Sequence, residues 1–345
     1  MTTVGVISNP TAGSGRGAKS AAQTLALLAA GRHRVRDLSM GTWSASLDHA
    51  RESQGDLDAL VVVGGDGMAH LGVQACAETE LPLGIVAAGS GNDAAMSLGL
   101  PVHDVPAAVA AIERGLEGDV VRVDLGRVDG EGVAESGRRR YFAAVLSAGI
   151  DAAIASYANR MTFPRGPAKY KLATFHELPR FRPYGVSLEV DGERWEQQCT
   201  LVAVANGPVF GGGLVISPES SHSDGLLELV IADPMGATAI ARLFPKLRDG
   251  SHLSDPRVRV VRGRHIRIGP ASQDGGAGGA DWPHHGPARD QPSAQRDPAR
   301  ASAAQGAPLP PAFADGELIG PAPLEVHTVP AALRVLGGRA DSLRA

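Results

Sequence analysis

Residues Leu60 to Gln74 read LVVVGGDGMAHLGVQ: an unbroken apolar run, two glycines, an aspartate, a third glycine, then apolar positions at helical spacing. A strand that is apolar at every position is buried on both faces, as in parallel sheets covered by helices. The same alternation extends to either side. Upstream come a strand from Val4 to Ser8, a Gly-rich loop, an Ala/Leu-rich helix from Gly17 to Ala30, RVRDLS, and a polar helix through Asp48 to Glu52. Downstream come LGIVAA, a Gly/Ser/Asn/Asp turn, and a helix that starts near Asp104 and Pro106 and stops at Gly115. An Asp and a Pro at the start of a helix and a Gly at its end are the expected punctuation. The pattern predicts an N-terminal α/β domain with a doubly wound parallel sheet.

Beyond about Val120 the texture changes. Segments such as VVRVDLGRV, YFAAVLSAGI, GVSLEVDG, TLVAVANG, LLELVI and RVRVVRG are separated by Gly, Pro and Asp, which predicts an antiparallel, all-β sandwich domain. Tyr157 to Pro183 is helical in part and gathers Arg160, Arg165, Lys169, Lys171, Arg180 and Arg182 against one acid, Glu177. The expected domains are residues 1–125, joined by about 330–345, and residues 126–329. The second carries a flexible insertion at about 271–311, where Gly, Pro, Ala, Ser and Gln displace the large apolar residues. Strand-like runs resume at Leu324 to Val329 and Leu333 to Leu336.

The 345 residues are 43% hydrophobic, enough for a sizeable core. Their net charge of -4 lacks the basic field of a nucleic-acid binder, so no nucleic-acid partner is expected. Cys76 and Cys199 have no metal-ligand spacing and read as buried thiols. The start, MTTVGVISNP, has neither the cationic lead nor the apolar length of a signal peptide. No stretch approaches the ~20 apolar residues of a membrane-spanning helix, so a cytoplasmic protein is expected.

Three Gly-rich turns, SNPTAGSG, GGDG and AAGSGND, each follow a predicted strand. In a doubly wound sheet they share the carboxyl edge, where ligands bind, and their backbone N–H groups can approach an oxyanion closely. None is a P-loop, and none has the Gly-x-Gly-x-x-Gly spacing in its usual place. Asp66 narrows the chemistry. Two like charges about 4 Å apart repel by roughly 1 kcal/mol in water and roughly 4 kcal/mol at an effective dielectric near 20, so a carboxylate beside phosphates calls for a mediating cation. Mg²⁺, held by carboxylate, water and phosphate oxygens, turns the repulsion into a bridge. The plain alternative for Asp66 is an N-cap of the following helix, and the two roles are compatible.

NPTAGSG, VVVGGDG, PLGIVAAGSGNDAAMSLGLP, SPESSHSDGLLEL and ADGE, in that order, resemble the lipid kinases of the diacylglycerol kinase catalytic family, which includes soluble bacterial diacylglycerol kinases and sphingosine kinases. The resemblance spans most of the chain apart from the insertion, and Pro82 to Pro101 is similar to actinobacterial members. It implies an α/β nucleotide-binding domain followed by a β-sandwich, with the chain end returning to the first domain. It implies an ATP site lined by Asn9, Pro10, Thr11, Ala12, Gly13 and Ser14, by Gly64, Gly65, Asp66 and Gly67, and by Gly89, Ser90, Gly91, Asn92 and Asp93. In that site Ser90 offers its hydroxyl to the nucleotide, and Asp66 joins the catalytic Mg²⁺ through acids and water. Asp224, with the backbone oxygens of Ser221 and Leu226, is implied as a structural Mg²⁺ site, although Asp-Gly alone reads as a β-turn. Asp315 and Glu317 match the catalytic Asp-Gly-Glu, and either could take the proton of a lipid hydroxyl.

Met68, Leu71 and Met96 depart from the family, where Thr, Glu and Arg are usual, and His70 reads as an ordinary, partly buried histidine. The resemblance implies ATP as donor and a lipid alcohol as acceptor, with diacylglycerol, giving phosphatidic acid, as the leading candidate. The cations between Arg160 and Arg182 could dock the protein, peripherally and reversibly, on an anionic membrane surface such as the inner face of the membrane. A homodimer is compatible with the sequence. Three alternatives stay open: a kinase for a sphingoid or other lipid alcohol, an NAD kinase-like enzyme that shares GGDG, and a nucleotide-binding regulator without catalysis.

Overall fold

The computed structural model describes residues 2–10, 16–130, 133, 140–163, 167–271 and 306–339. The first half runs β1 (Thr3–Ser8), α1 (Arg16–Ala30), β2 (Arg34–Asp37), α2 (Trp43–Glu52), β3 (Ala59–Gly64), α3 (Asp66–Cys76), β4 (Leu83–Ala87), α4 (Asp93–Ser97) and α5 (Val105–Leu116). Its strands lie parallel in the order β2-β1-β3-β4. Every residue of β3 is buried, and alternate side chains serve two cores. Val61 and Val63 pack with Leu28 and Ile112 of α1 and α5, whereas Leu60 and Val62 pack with Leu47 and Leu71 of α2 and α3. Asp104 caps α5 by accepting the Ala107 N–H at 2.9 Å, and Thr42 caps α2 by accepting the Ala45 N–H at 3.1 Å.

The second half contains β5 (Val120–Asp129), β6 (Tyr141–Phe142), β7 (Val145–Ser147), α6 (Ile150–Arg160), α7 (Pro167–Glu177), β8 (Tyr184–Val190), β9 (Glu193–Cys199) and β10 (Leu201–Ala205). It continues with β11 (Val209–Phe210), β12 (Leu214–Val215), β13 (Leu227–Ala232), α8 (Ala237–Leu243), β14 (Val258–Gly263), β15 (His265–Pro270), β16 (Ala312–Ala314), β17 (Glu317–Gly320) and β18 (Leu324–Leu336). Six strands, β14-β13-β10-β7-β16-β17, form an antiparallel sheet. The parallel sheet meanwhile continues past β4 through β18, β15, β8 and β9, with β5 also on β18. Leu188, Ile266 and Val326 of this extension meet Val204, Leu229 and Ile231 of the six-stranded sheet, closing a sandwich.

Strand β18 ties the halves together: it is parallel to β4 at Val335 and Leu83, and antiparallel to β5 and β15. The two strand-like runs of the sequence are one strand with a register break between Val329 and Leu333. There Ala331 has φ 51° and donates its N–H to Asp124 Oδ1 at 2.7 Å. The changes of domain expected near 125 and 330 thus fall within β5 and β18, which run through both halves.

YFAAVLSAGI does not form one strand. It divides into β6, β7 and the start of α6, because the amides of Ala143 and Ala144 turn to a carboxylate instead of a neighbouring strand. Residues 306–311, expected in the insertion, are packed: Ala307 bridges Tyr184 and donates its N–H to the Pro183 carbonyl at 3.0 Å. Residues 272–305 and 340–345 lie outside the described residues. Among the described residues no helix is long and apolar enough to cross a membrane.

Candidate active site

The GGDG and GSGND turns touch through their backbones. A Cβ on Gly65 would stand 3.0 Å from Gly89 Cα, and one on Gly89 would collide with Gly65 Cα, so Gly89 requires glycine and Gly65 leaves little room for anything larger. Asn92 locks the second turn. It is buried at φ 68°, its Oδ1 accepts the Gly89 N–H at 2.9 Å, and its Nδ2 donates to the Gly89 carbonyl at 3.2 Å. Asp66 opens α3, yet its side chain does not cap that helix: the N-cap is Gly65, with no side-chain bond. The carboxylate reaches across instead. Oδ1 accepts the Asp93 N–H at 2.6 Å and Oδ2 the Asn92 N–H at 2.8 Å. Asp93 in turn accepts from Gly212 and Gly213 at 2.8 Å, in the turn between β11 and β12 where both glycines have positive φ. One chain of carboxylate bonds therefore joins the GGDG turn to the second half of the molecule.

The β16–β17 hairpin brings the remaining acids. Asp315, at φ 50° and 5% exposed, accepts three amides: Ala143 at 2.8 Å, Ala144 at 2.9 Å and Val145 at 3.3 Å. Glu317 extends from the same hairpin to Gly67, where a Cβ would lie 2.7 Å from Glu317 Oε1. His70 is wholly buried, not partly so, because α3 packs between β3 and the second half; its Nδ1 is 3.8 Å from Asp315 Oδ2. Trp43 completes this wall by donating Nε1–H to the Gly67 carbonyl at 3.0 Å.

Burial and like charge act together on these acids. Burial is the main force that pushes the Asp66 carboxyl up to about 7, followed by the charge of Asp93, with Asp315 adding to it and the two amides opposing. Asp93 is also raised, by burial and then Asp315, against the Gly212 and Gly213 amides. The Tyr170 hydroxyl on α7 is raised by burial and by Glu317, Asp66 and Asp93, which sets that helix beside the acids.

The other residues fall as follows. Asn9 follows β1, donates its N–H to the Val63 carbonyl at 3.2 Å, and lies beside Gly64; Pro10 comes next, exposed. Thr11, Ala12, Gly13 and Ser14 lie outside the described residues, as do Arg165 and the side chain of Lys171. Ser90 is exposed, and a Cβ on Gly91 would collide with Asp66 Oδ2. Asp224 lies in a separate, exposed turn, where its Oδ1 accepts the Leu226 N–H at 3.0 Å. Ser221 is buried in the same turn, and Asp124 fixes it by accepting the Gly225 N–H at 2.7 Å.

Sequence reasoning missed Asp124, Tyr170, Trp43 and the glycines at 212 and 213, of which only the GGG run at 211–213 was a visible signal. It also missed Asp151 at the start of α6, a buried carboxyl raised by desolvation and bonded to Ser147. The departures are apolar packing: Met68 lies over Gly64, Leu71 is in the core, and Met96 Cε is 3.4 Å from a Cβ position on Gly213.

Comparison with known proteins finds named relatives. Residues 3–128 match the diacylglycerol kinase catalytic domain, and residues 144–288 match the YegS C-terminal NAD kinase beta sandwich-like domain. A diacylglycerol kinase of Mycobacterium tuberculosis is 32% identical over 342 residues, covering 97% of this chain and 95% of the relative. One of Bacillus subtilis is 24% identical over 216 residues, covering 62% of this chain and 67% of the relative. The crystal structure of a diacylglycerol kinase from Bacillus anthracis strain Sterne superposes with a TM-score of 0.63 at 17% identity, covering 97% of this chain and 96% of that one. Its likeness over nearly the whole chain bears out the α/β-plus-sandwich fold.

Proposed function

The chain belongs to the diacylglycerol kinase family, and from that premise we propose that it phosphorylates the primary hydroxyl of diacylglycerol to give phosphatidic acid. It is an ATP-dependent lipid kinase, which sets aside the NAD kinase-like and non-catalytic readings. The observation that carries the phosphoryl-transfer chemistry is the meeting of two glycine turns in backbone contact, with Glu317 of the second half against Gly67.

The chain's own groups divide the work. The first turn of α3 offers amides to the phosphate oxygens, and the neighbouring turn at residues 89–93 closes the cradle. Asp315, buried and held by three amides, positions the hairpin that carries Glu317. Glu317 takes the proton of the attacking hydroxyl. The donor set suits Mg²⁺: Asp66 is an acid whose ionisation is opposed by burial and by neighbouring acids, a deficit that a divalent cation relieves. Asp66, with water, would hold that ion, which when bound neutralises charge on the transferring phosphoryl group. Asp224, with the backbone oxygens of Ser221 and Leu226, would hold a second Mg²⁺, a hard oxygen set that braces the turn.

The lipid arrives from a surface. Phe163 and Phe175 are 83% and 77% exposed on the α6–α7 hairpin, and Leu172 is also exposed. Arg160, Arg180 and Arg182 accompany them, and Leu318 is exposed beside Glu317. Apolar side chains for the acyl boundary and cations worth about 1 kcal/mol each near anionic lipid support peripheral, reversible docking on the inner membrane face. Co-sedimentation with vesicles should require anionic lipid and weaken with salt; salt-independent binding contradicts electrostatic docking. The test of substrate is transfer of labelled γ-phosphate from ATP to micellar diacylglycerol, ceramide and sphingosine, and to NAD. Diacylglycerol is expected to be the best acceptor, and a preference for any other would overturn the assignment.

A further inference from the structure

We propose that His265, His327 and Glu325 form a binding site for a transition-metal dication of the zinc class, a clip across β15 and β18 that is separate from the acids of phosphoryl transfer. The strand register puts the three together. His265 lies opposite His327 across the antiparallel pair, and Glu325 is two residues from His327 and so on the same face of β18. The imidazole rings stack at 4.4 Å with their planes 4° apart. Both turn to one carboxylate oxygen: His265 Nε2 is 2.5 Å and His327 Nε2 3.7 Å from Glu325 Oε1. One ligand atom from each residue lies within 4.8 Å of the others, and all three residues are half-buried. Although close to Glu325, the buried His265 Nε2 makes no well-formed hydrogen bond among the described residues. Asp129 on β5, opposite Glu325 in register, supplies a further carboxylate 4.0 Å from His327 Nε2.

Two imidazoles and one or two carboxylates match the preference of zinc-class ions, whereas Mg²⁺ and Ca²⁺ favour oxygen alone. Tetrahedral bonds of about 2.0–2.2 Å put donor atoms roughly 3.3–3.5 Å apart, so small side-chain rotations suffice. The plain alternative is a surface ladder of ion pairs, and cations do face the site. Arg267 reaches Glu325 Oε1 at 3.0 Å, and Arg127 and Arg140 reach Asp129 at 3.2 Å and 3.6 Å. Arg267 keeps a second partner, Glu189 at 3.5 Å, if a metal takes Glu325. A ladder has no use for two parallel imidazoles aimed at one oxygen. Because β18 belongs to both halves, a clip at this point stiffens the strand that joins them.

The full chain, stripped with chelator and kept in excess Mg²⁺, is titrated with Zn²⁺, and with Co²⁺ as a spectroscopic probe. One tight equivalent, the visible absorption of four-coordinate Co²⁺, and a raised melting midpoint are expected. His265→Gln and His327→Gln should each lose more than the about 10–100-fold in affinity that loss of an outer-shell partner costs. Glu325→Gln, which preserves shape, should also weaken binding. Kinase turnover and circular dichroism of the metal-free variants should match the parent. Parental Zn²⁺ affinity in the histidine variants, or no Co²⁺ absorption and no melting shift in the parent, would overturn the proposal.

Discussion

Asp66, half-buried, and Glu228, buried, are acids whose carboxyls are both driven up to about 7, chiefly by desolvation. Their surroundings differ in kind. Glu228, on β13 and 1% exposed, faces its own cation, Arg262 Nε at 3.0 Å, and accepts the Ser220 hydroxyl at 2.5 Å. Asp66 faces Asp93 and Asp315, and among the described residues two backbone amides help it. A buried acid with its own cation completes a fold. An acid set among acids carries a charge deficit that a cation would relieve, and on the proposed function the first belongs to structure and the second to chemistry.

The largest expected contrast is in turnover. Glu317→Gln removes the proposed base beside Asp66 and should lower kcat by roughly 10²–10⁴-fold, the usual worth of general base catalysis. Glu228→Gln, on the structural side, should leave kcat within a few-fold in the same labelled-phosphate assay. Equal losses would erase the distinction.

Stability offers a smaller contrast. Gly89→Ala drives a methyl into the Gly65 backbone and should cost about 1–3 kcal/mol in urea unfolding, whereas Gly41→Ala, at a position with open space, should cost little. Asp315→Asn turns one acceptor of the three amides into a donor and should cost about 1–3 kcal/mol. An unchanged midpoint would show that the hairpin does not depend on that carboxylate.

These partners also mark how far the sequence could be read. The parallel sheet was legible because every residue of β3 is buried, and burial on both faces leaves an unbroken apolar run. Asp66 was legible because an acid inside a glycine turn has few ordinary reasons to be there. The bonds that give the site its form were not. Asp93 meets Gly212 and Gly213 some 119 and 120 positions away, and Asp315 meets the Ala143–Val145 amides at separations of 170 to 172. Local composition reports burial and backbone conformation but carries no record of distant partners. For the same reason His70 read as partly buried, since the cover over α3 comes from the other half of the chain.

A further contrast is a slope with pH. Without cation, the folded protein holds a proton on Asp66 up to about 7, whereas the unfolded chain releases it near 3.8; Glu228 behaves likewise, from 4.5 to about 7. Folding therefore takes up protons between those values, so both groups make stability fall as pH rises through that window. Asp66→Asn and Glu228→Gln should each flatten the slope of urea stability against pH. Because the charge of Asp224 also helps to raise Glu228, the Mg²⁺ test is made in an Asp224→Asn background, where added Mg²⁺ should flatten the Asp66 share and leave the Glu228 share unchanged; an equal effect on both would break the comparison.

Calorimetric titration of Mg²⁺ into the chain saturated with a non-hydrolysable ATP analogue reads the charge deficit at Asp66 directly. Two binding events are expected: the one whose affinity tightens as pH rises through about 7, with protons released and detectable through buffer ionisation heats, should be lost in Asp66→Asn but kept in Glu228→Gln, whereas the event at the Asp224 turn should persist in both. An affinity that is flat with pH, or unchanged in Asp66→Asn, would contradict a site that is completed by a divalent cation.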